Sequence, residues 1–184
     1  REDGWKIIHI HHSLPNIEQA DGEYYPKTLL NQFNEKLEKM EYLQTLAERD
    51  GLTGLINYRT FQERYKQYVD TTSSCWIFII DVDKFKEVND TFGHMSGNHV
   101  LKKMATTLKN IVRSSDIVCR MGGDEFILLC GGFETEEQAH AFAQRIKSAI
   151  AEAGKDERAW AGISVGKASV SAANELEQVI VTAD

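Results

Sequence analysis

Three carboxylates stand out by their surroundings: Asp81, Asp124 and Glu125. Asp124 and Glu125 sit in Gly122-Gly123-Asp124-Glu125-Phe126, between an alternating segment (Asp116 to Met121) and an apolar one (Phe126 to Cys130). That pattern predicts two strands joined by a tight turn. Glycine lets the backbone take positive φ and approach a ligand closely, so the turn would hold two acids at one edge of a sheet. Asp81 directly follows Cys75-Trp76-Ile77-Phe78-Ile79-Ile80, a continuous apolar run expected of a central strand covered on both faces. If the hairpin lies beside that strand, the three acids converge. Packed carboxylates raise one another's pKa unless a cation is present. Mg²⁺ takes hard oxygen ligands and is commonly shared between one or two carboxylates and substrate phosphates. The plainer alternative is a solvated acidic turn and unrelated caps.

The elements that must position these acids alternate along the chain. Gly97 to Arg113 reads as an amphipathic helix with Val100, Leu101, Met104, Ala105, Leu108, Ile111 and Val112 on one side. Glu136 to Ala151 is another, with Ala139, Phe142, Ala143, Ile146 and Ile150 inward. Ala159 to Ala168 reads as a strand, and a last helix starts at Glu175. Strand, helices, hairpin, helix and strand make an α+β fold: an antiparallel-containing sheet flanked by helices. Upstream, a long helix is predicted from Thr28, with Leu30, Phe33, Leu37 and Met40 forming a short coiled-coil seam. Gly51 and Gly54 break it, and Asn57 caps the next helix, which runs to about Val69.

Several motifs together resemble the GGDEF family. Asp50-Gly51-Leu52-Thr53-Gly54-Leu55-Ile56-Asn57-Tyr58-Arg59 is similar to the family's opening motif, Asp-x-Leu-Thr-Gly-Leu-x-Asn-x-Arg. Asp81 to Leu101 matches Asp-x-Asp-x-Phe-Lys-x-x-Asn-Asp-x-Phe-Gly-His-x-x-Gly-x-x-x-Leu, and the hairpin carries the family's name motif. The resemblance covers about residues 50–184 and implies a palm-like nucleotidyl-cyclase fold with a ferredoxin-like core. It implies a diguanylate cyclase, which condenses two GTP into cyclic di-GMP and two pyrophosphates. Asp81, the Val82 carbonyl, Asp124 and Glu125 would bind Mg²⁺ or Mn²⁺, and Glu125 would help activate the 3′-hydroxyl. Gly122 and Gly123, the backbone near Phe85 and the Lys86 side chain would meet the nucleotide. Asn89 would read the guanine edge. His94 is a structural turn residue in the family. Each domain would hold one GTP, so turnover would need a homodimer.

One position departs from the family. Asp is usual at position 98, where it accepts from guanine N1–H and N2–H₂; here it is Asn98. An amide offers one acceptor oxygen and a donor NH₂ and cannot accept both protons alike. Asn98 either caps the nearby helix while GTP still binds, or relaxes base selection toward a mixed-base cyclic dinucleotide. Arg113-Ser114-Ser115-Asp116 matches the family's Arg-x-x-Asp site for product inhibition, and is otherwise a helix-end salt bridge. Arg145 aligns with a secondary inhibitory arginine, or is a solvated helix residue.

Composition bounds the alternatives. The chain has 184 residues, 42% hydrophobic and 27% charged, and a net charge of −7. That charge argues against broad binding to DNA or RNA. No apolar run approaches the roughly 20 residues of a membrane helix, and a cytoplasmic location is expected. Cys75, Cys119 and Cys130 lack metal-type spacing and suit buried thiols in a reducing compartment. Residues 1–14 resemble the last strand of NTF2/SnoaL-like sensor domains, with His9, His11 and His12 on a sheet surface or at a metal. Residues 15–49 would be linker and signalling helix, and 50–184 a GGDEF domain lacking the end of its carboxy-terminal segment. Two other functions compete: a catalytically weak receptor for cyclic di-GMP, and a GTP-binding regulatory module.

Overall fold

The computed structural model describes residues 27–171 and 176–183. The sensor-like strand of residues 1–14 and the polar stretch that follows lie outside the described residues. The chain divides after Gln44 into two compact units. Helix α1 (Lys27–Glu48) begins close to the expected position. Leu30, Phe33, Leu37 and Met40 are all exposed along it.

From Thr45 onward the order is β1 (Ile56–Asn57), α2 (Tyr58–Thr71), β2 (Cys75–Val82), α3 (Phe85–Phe92) and α4 (His94–Ile111). Then come β3 (Ile117–Gly122), β4 (Glu125–Cys130), α5 (Glu136–Ala153), β5 (Ile163–Val170) and α6 (Leu176–Ala183). The strands form one sheet in the order β1-β3-β4-β2-β5. The short β1 is parallel to β3, and every other pairing is antiparallel.

Strand β2 is interior and both its faces are covered, which is why its sequence is continuously apolar. Phe78, Ile80 and Val82 join a core with Val100, Leu101, Met104 and Leu108 of α4 and Phe142, Ile146 and Ile150 of α5. Cys75, Ile77 and Ile79 face the other way, onto Phe61, Tyr65 and Val69 of α2 and Val179 of α6. Each large side chain removed from water contributes about 2 kcal/mol, so the layers hold the two central strands rigidly. Ile111 and Val112 are only partly buried. The three cysteines are buried and free. Burial pushes the Cys119 thiol up to about 12, which leaves it a packing group.

Asn57 is the cap of α2: its side chain accepts from Thr60 N–H at 2.9 Å. Its Nδ2 also donates to Ala47 O at 2.7 Å. Helix α4 begins at His94, three residues before the expected start, because Gly93 supplies the turn at φ 83°. Asn98 therefore sits within the helix and is not its cap; the capping alternative is overturned. His94 is the first helical residue after that turn.

Candidate active site

Asp81 and Glu125 stand directly opposite each other in the β2–β4 register. Alternation from Ile77 and Ile79 carries Asp81 to one face of the sheet; Ile127 and Leu129 carry Glu125 to the same face. On its other side Asp81 is paired with Ser164 of β5. Asp124 follows in the turn, half-buried. The convergence expected of the first two acids is thus fixed by backbone pairing, with the third adjacent in the chain. Asp83, two residues on, is tied to β5: its N–H donates to Gly162 O at 3.0 Å, and Ser164 Oγ donates to its carboxylate at 2.7 Å.

Like charges directly opposite across an antiparallel pair repel, and a cation removes that cost. The oxygens at this edge of the sheet, from the carboxylates and the adjoining backbone carbonyls, are hard donors of the kind that suits Mg²⁺ or Mn²⁺. Among the described residues no three acid, His or Cys side chains form a closed metal cage. Mg²⁺ does not require one, because it keeps places for substrate phosphates and water. The residues present fit such an ion.

The turn itself is held by a residue outside the expected site. Arg120 donates through Nε and Nη2 to Gly123 O at 3.1 and 2.5 Å. Its Nη1 reaches both carboxylate oxygens of Asp50, at 3.0 and 3.1 Å. Asp50 also accepts from Thr53 N–H at 2.8 Å and Thr53 Oγ1 at 2.6 Å. Burial tends to raise the Asp50 pKa, but the bonds from Thr53 and then Arg120 outweigh it and hold the carboxyl below its ordinary value. The opening motif is thereby clamped to the acidic hairpin. Gly123, at φ 44°, meets the turn's need for a left-handed residue.

Helix α3 follows β2 through Lys84, a non-glycine residue at φ 55°, and has no side-chain cap. Its first N–H groups are of the kind that bind anions. The exposed Lys86 lies in that first turn. Asn89 of α3 packs on α4 at Gly97: a Cβ there would lie 2.1 Å from Asn89 Oδ1 and 3.1 Å from the Phe85 ring. Asn89, Phe85 and the neighbour of Asn98 therefore meet at one helix crossing.

The Arg113–Asp116 turn forms a separate feature. Asp116 accepts from the Arg113 main-chain N–H at 2.9 Å and from Tyr68 Oη at 3.1 Å. The carboxylate takes the backbone of Arg113 and not its guanidinium, so the salt-bridge alternative does not hold. Burial, then the Asp116 charge, raises the Tyr68 pKa. Arg145 is exposed on α5, as the solvated-residue alternative has it, but it is also anchored: Nη2 donates to Ile111 O at 2.7 Å, at the end of α4, and the guanidinium stacks over Phe142 at 4.6 Å. A concavity of about 670 Å³ opens beside the turn, with Tyr68, Arg113 and Asp116 in its wall.

A mixed sheet with helices on both faces, and acids where β2 meets the β3–β4 hairpin, defines a palm-like nucleotidyl-cyclase fold. Comparison with known proteins specifies it further. Residues 47–184 match the family described as "Diguanylate cyclase, GGDEF domain". The chain belongs to the GGDEF family. It is 34% identical over 164 residues to the diguanylate cyclase DosC of Escherichia coli K12, covering 85% of this chain but 35% of DosC. The chain therefore spans about a third of that relative. Among solved structures, a sensory box/GGDEF family protein from Caulobacter crescentus CB15 is 32% identical with a TM-score of 0.66, covering 74% of this chain and 93% of that one. The coiled coil and GGDEF domain of Caulobacter crescentus DgcB, solved with c-di-GMP, has a TM-score of 0.73 at 20% identity, covering 86% and 87%. That second likeness concerns the fold.

Proposed function

We propose that this chain is the catalytic part of a cytoplasmic diguanylate cyclase that makes cyclic di-GMP from two GTP. The observation that carries the reading is the in-register pairing of Asp81 with Glu125, beside a turn bearing Asp124. Asp81, Asp124, Glu125 and the Val82 carbonyl would hold Mg²⁺ or Mn²⁺. When bound, such an ion lowers the pKa of the 3′-hydroxyl and offsets charge on the α-phosphate and leaving group.

The chain's own groups do the positioning. The α3 amides near Phe85 and the Lys86 ammonium hold phosphate oxygens, with Gly122 and Gly123 allowing close approach. Asn89 and Asn98 face the base, and Glu125 orients the attacking hydroxyl and accepts its proton. A bond forms from the 3′-oxygen to the α-phosphorus of the other GTP, and the bond from that phosphorus to the pyrophosphate oxygen breaks. Two such transfers close the ring, so two domains must face each other; the seam of α1 supplies a means of pairing and a route for a signal. Arg113, Asp116 and Arg145 would bind the product and limit turnover.

The test is product identification. The full-length protein is incubated with GTP, ATP or an equal mixture plus Mg²⁺, and the products are identified by mass. Cyclic di-GMP from the wild type and none from Asp124→Ala is the expected result. Wild-type turnover in Asp124→Ala would remove the metal assignment. A mixed-base product would make Asn98 a specificity switch, and cyclic di-GMP binding without turnover would favour a receptor.

A further inference from the structure

The concavity beside the Arg113–Asp116 turn gathers Arg49, Arg64, Lys109 and Arg113 from three separate stretches of the chain. The protein as a whole carries a net charge of −7. Such a recess concentrates positive potential on a surface that otherwise repels anions. Several of its polar groups are committed to the fold. Asp116 is held by Tyr68 and the Arg113 N–H, and Arg49 Nη1 donates to Gly54 O at 2.8 Å. Arg64 is placed differently. Its Nη2 pairs with Glu48 Oε2 at 2.7 Å, and the two side chains are 48% and 32% exposed. An ion pair that open to water is weak. A phosphodiester offers a guanidinium two oxygens in a geometry its planar fork matches. Arg64 and Tyr68 are four residues apart on α2, so this guanidinium lies one turn from the hydroxyl that holds Asp116.

We propose that Arg64 is a phosphate ligand of this pocket and that it exchanges Glu48 for a phosphate of the bound cyclic dinucleotide. The proposal rests on the reading of Arg113 and Asp116 as a cyclic di-GMP site and adds a regulatory consequence. Glu48 is the last residue of α1. The Arg64–Glu48 pair and the Asn57–Ala47 hydrogen bond tie α2 to the last turn of α1. A ligand that takes Arg64 removes the first tie and leaves the second. By linkage, whatever strengthens the ion pair must weaken the ligand, and removing Glu48 must strengthen it.

The experiment is a calorimetric titration of cyclic di-GMP onto the 184-residue chain and its Arg113→Ala, Arg64→Ala and Glu48→Gln variants. Arg64→Ala is expected to weaken binding on the order of tenfold, the loss of one charge-assisted contact. Glu48→Gln is expected to tighten it by about two- to fivefold, because an exposed competitor is removed. Both substitutions are at solvated positions, and a circular-dichroism melt checks that each variant is folded. Wild-type affinity in either Arg64→Ala or Glu48→Gln, with Arg113→Ala weakened, overturns the exchange while leaving the Arg113 site standing. No binding by the wild type, or equal binding by wild type and Arg113→Ala, overturns the underlying site and the exchange with it.

Discussion

At Gly97 a single hydrogen in place of a methyl decides where Asn89 can stand. An added Cβ would fall 2.1 Å from Asn89 Oδ1, well inside contact distance, and 3.1 Å from the Phe85 ring. Gly97→Ala is expected to swing Asn89 out of the helix crossing and raise the KM for GTP about tenfold, with the melting temperature lowered only modestly. Steady-state kinetics across GTP concentration checks this; an unchanged KM would detach Asn89 from base recognition. Asn98 lies one residue on, inside α4, with no capping duty to protect. Asn98→Asp is expected to increase the preference for GTP over ATP by about tenfold, since a carboxylate can accept both guanine protons. Competition between the two nucleotides measures it, and an unchanged ratio would place base selection elsewhere.

The α2 cap, the acidic hairpin and the inward residues of α5 were legible in the sequence because each follows from short-range chemistry. Asn57 precedes a helical pattern, two glycines precede two acids, and apolar residues recur at helical spacing. What was not legible depends on distance or brevity. Strand β1 has two residues, too few to show a period. Arg120 sits where alternation gives no reason to single out a charge, and its partner Asp50 lies 70 residues away in the sequence. The start of α4 was missed because Gly93 at positive φ, and not a polar cap, begins it. The Arg120–Asp50 clamp makes its own prediction. The Asp50 carboxyl titrates below the ordinary value of 3.8, so as pH falls the unfolded chain takes up this proton first. The stability from this group is complete above that ordinary value and is lost as pH falls through the lower folded value. Asp50→Asn is expected to lower stability at pH 6 by about 2 kcal/mol, and the difference from wild type should shrink toward pH 2. Urea titrations at several pH values test it; a pH-independent difference would show that charge is not what Asp50 contributes.

At the scale of the molecule, the described residues hold one set of the paired acids, and the proposed reaction between two GTP molecules needs two. On the proposed reading, two copies must meet, and α1 offers a surface for that. Leu30, Phe33, Leu37 and Met40 recur at spacings of three and four and are 58%, 59%, 42% and 60% exposed. Such a stripe gains little in water by staying open and is the pattern that pairs helices. If the seam brings two copies together, the rate per chain should rise with protein concentration until the pairs are filled. Leu37→Asp should move that rise to concentrations about tenfold higher or more, because a charge buried in the seam must be desolvated. The rate at saturating concentration should stay close to wild type, since position 37 lies far in sequence from Asp81 and the hairpin. Turnover measured across a dilution series, with sedimentation velocity on the same samples, separates the two effects. A rate per chain that does not depend on concentration, in a sample that sediments as a monomer, would remove pairing from the mechanism.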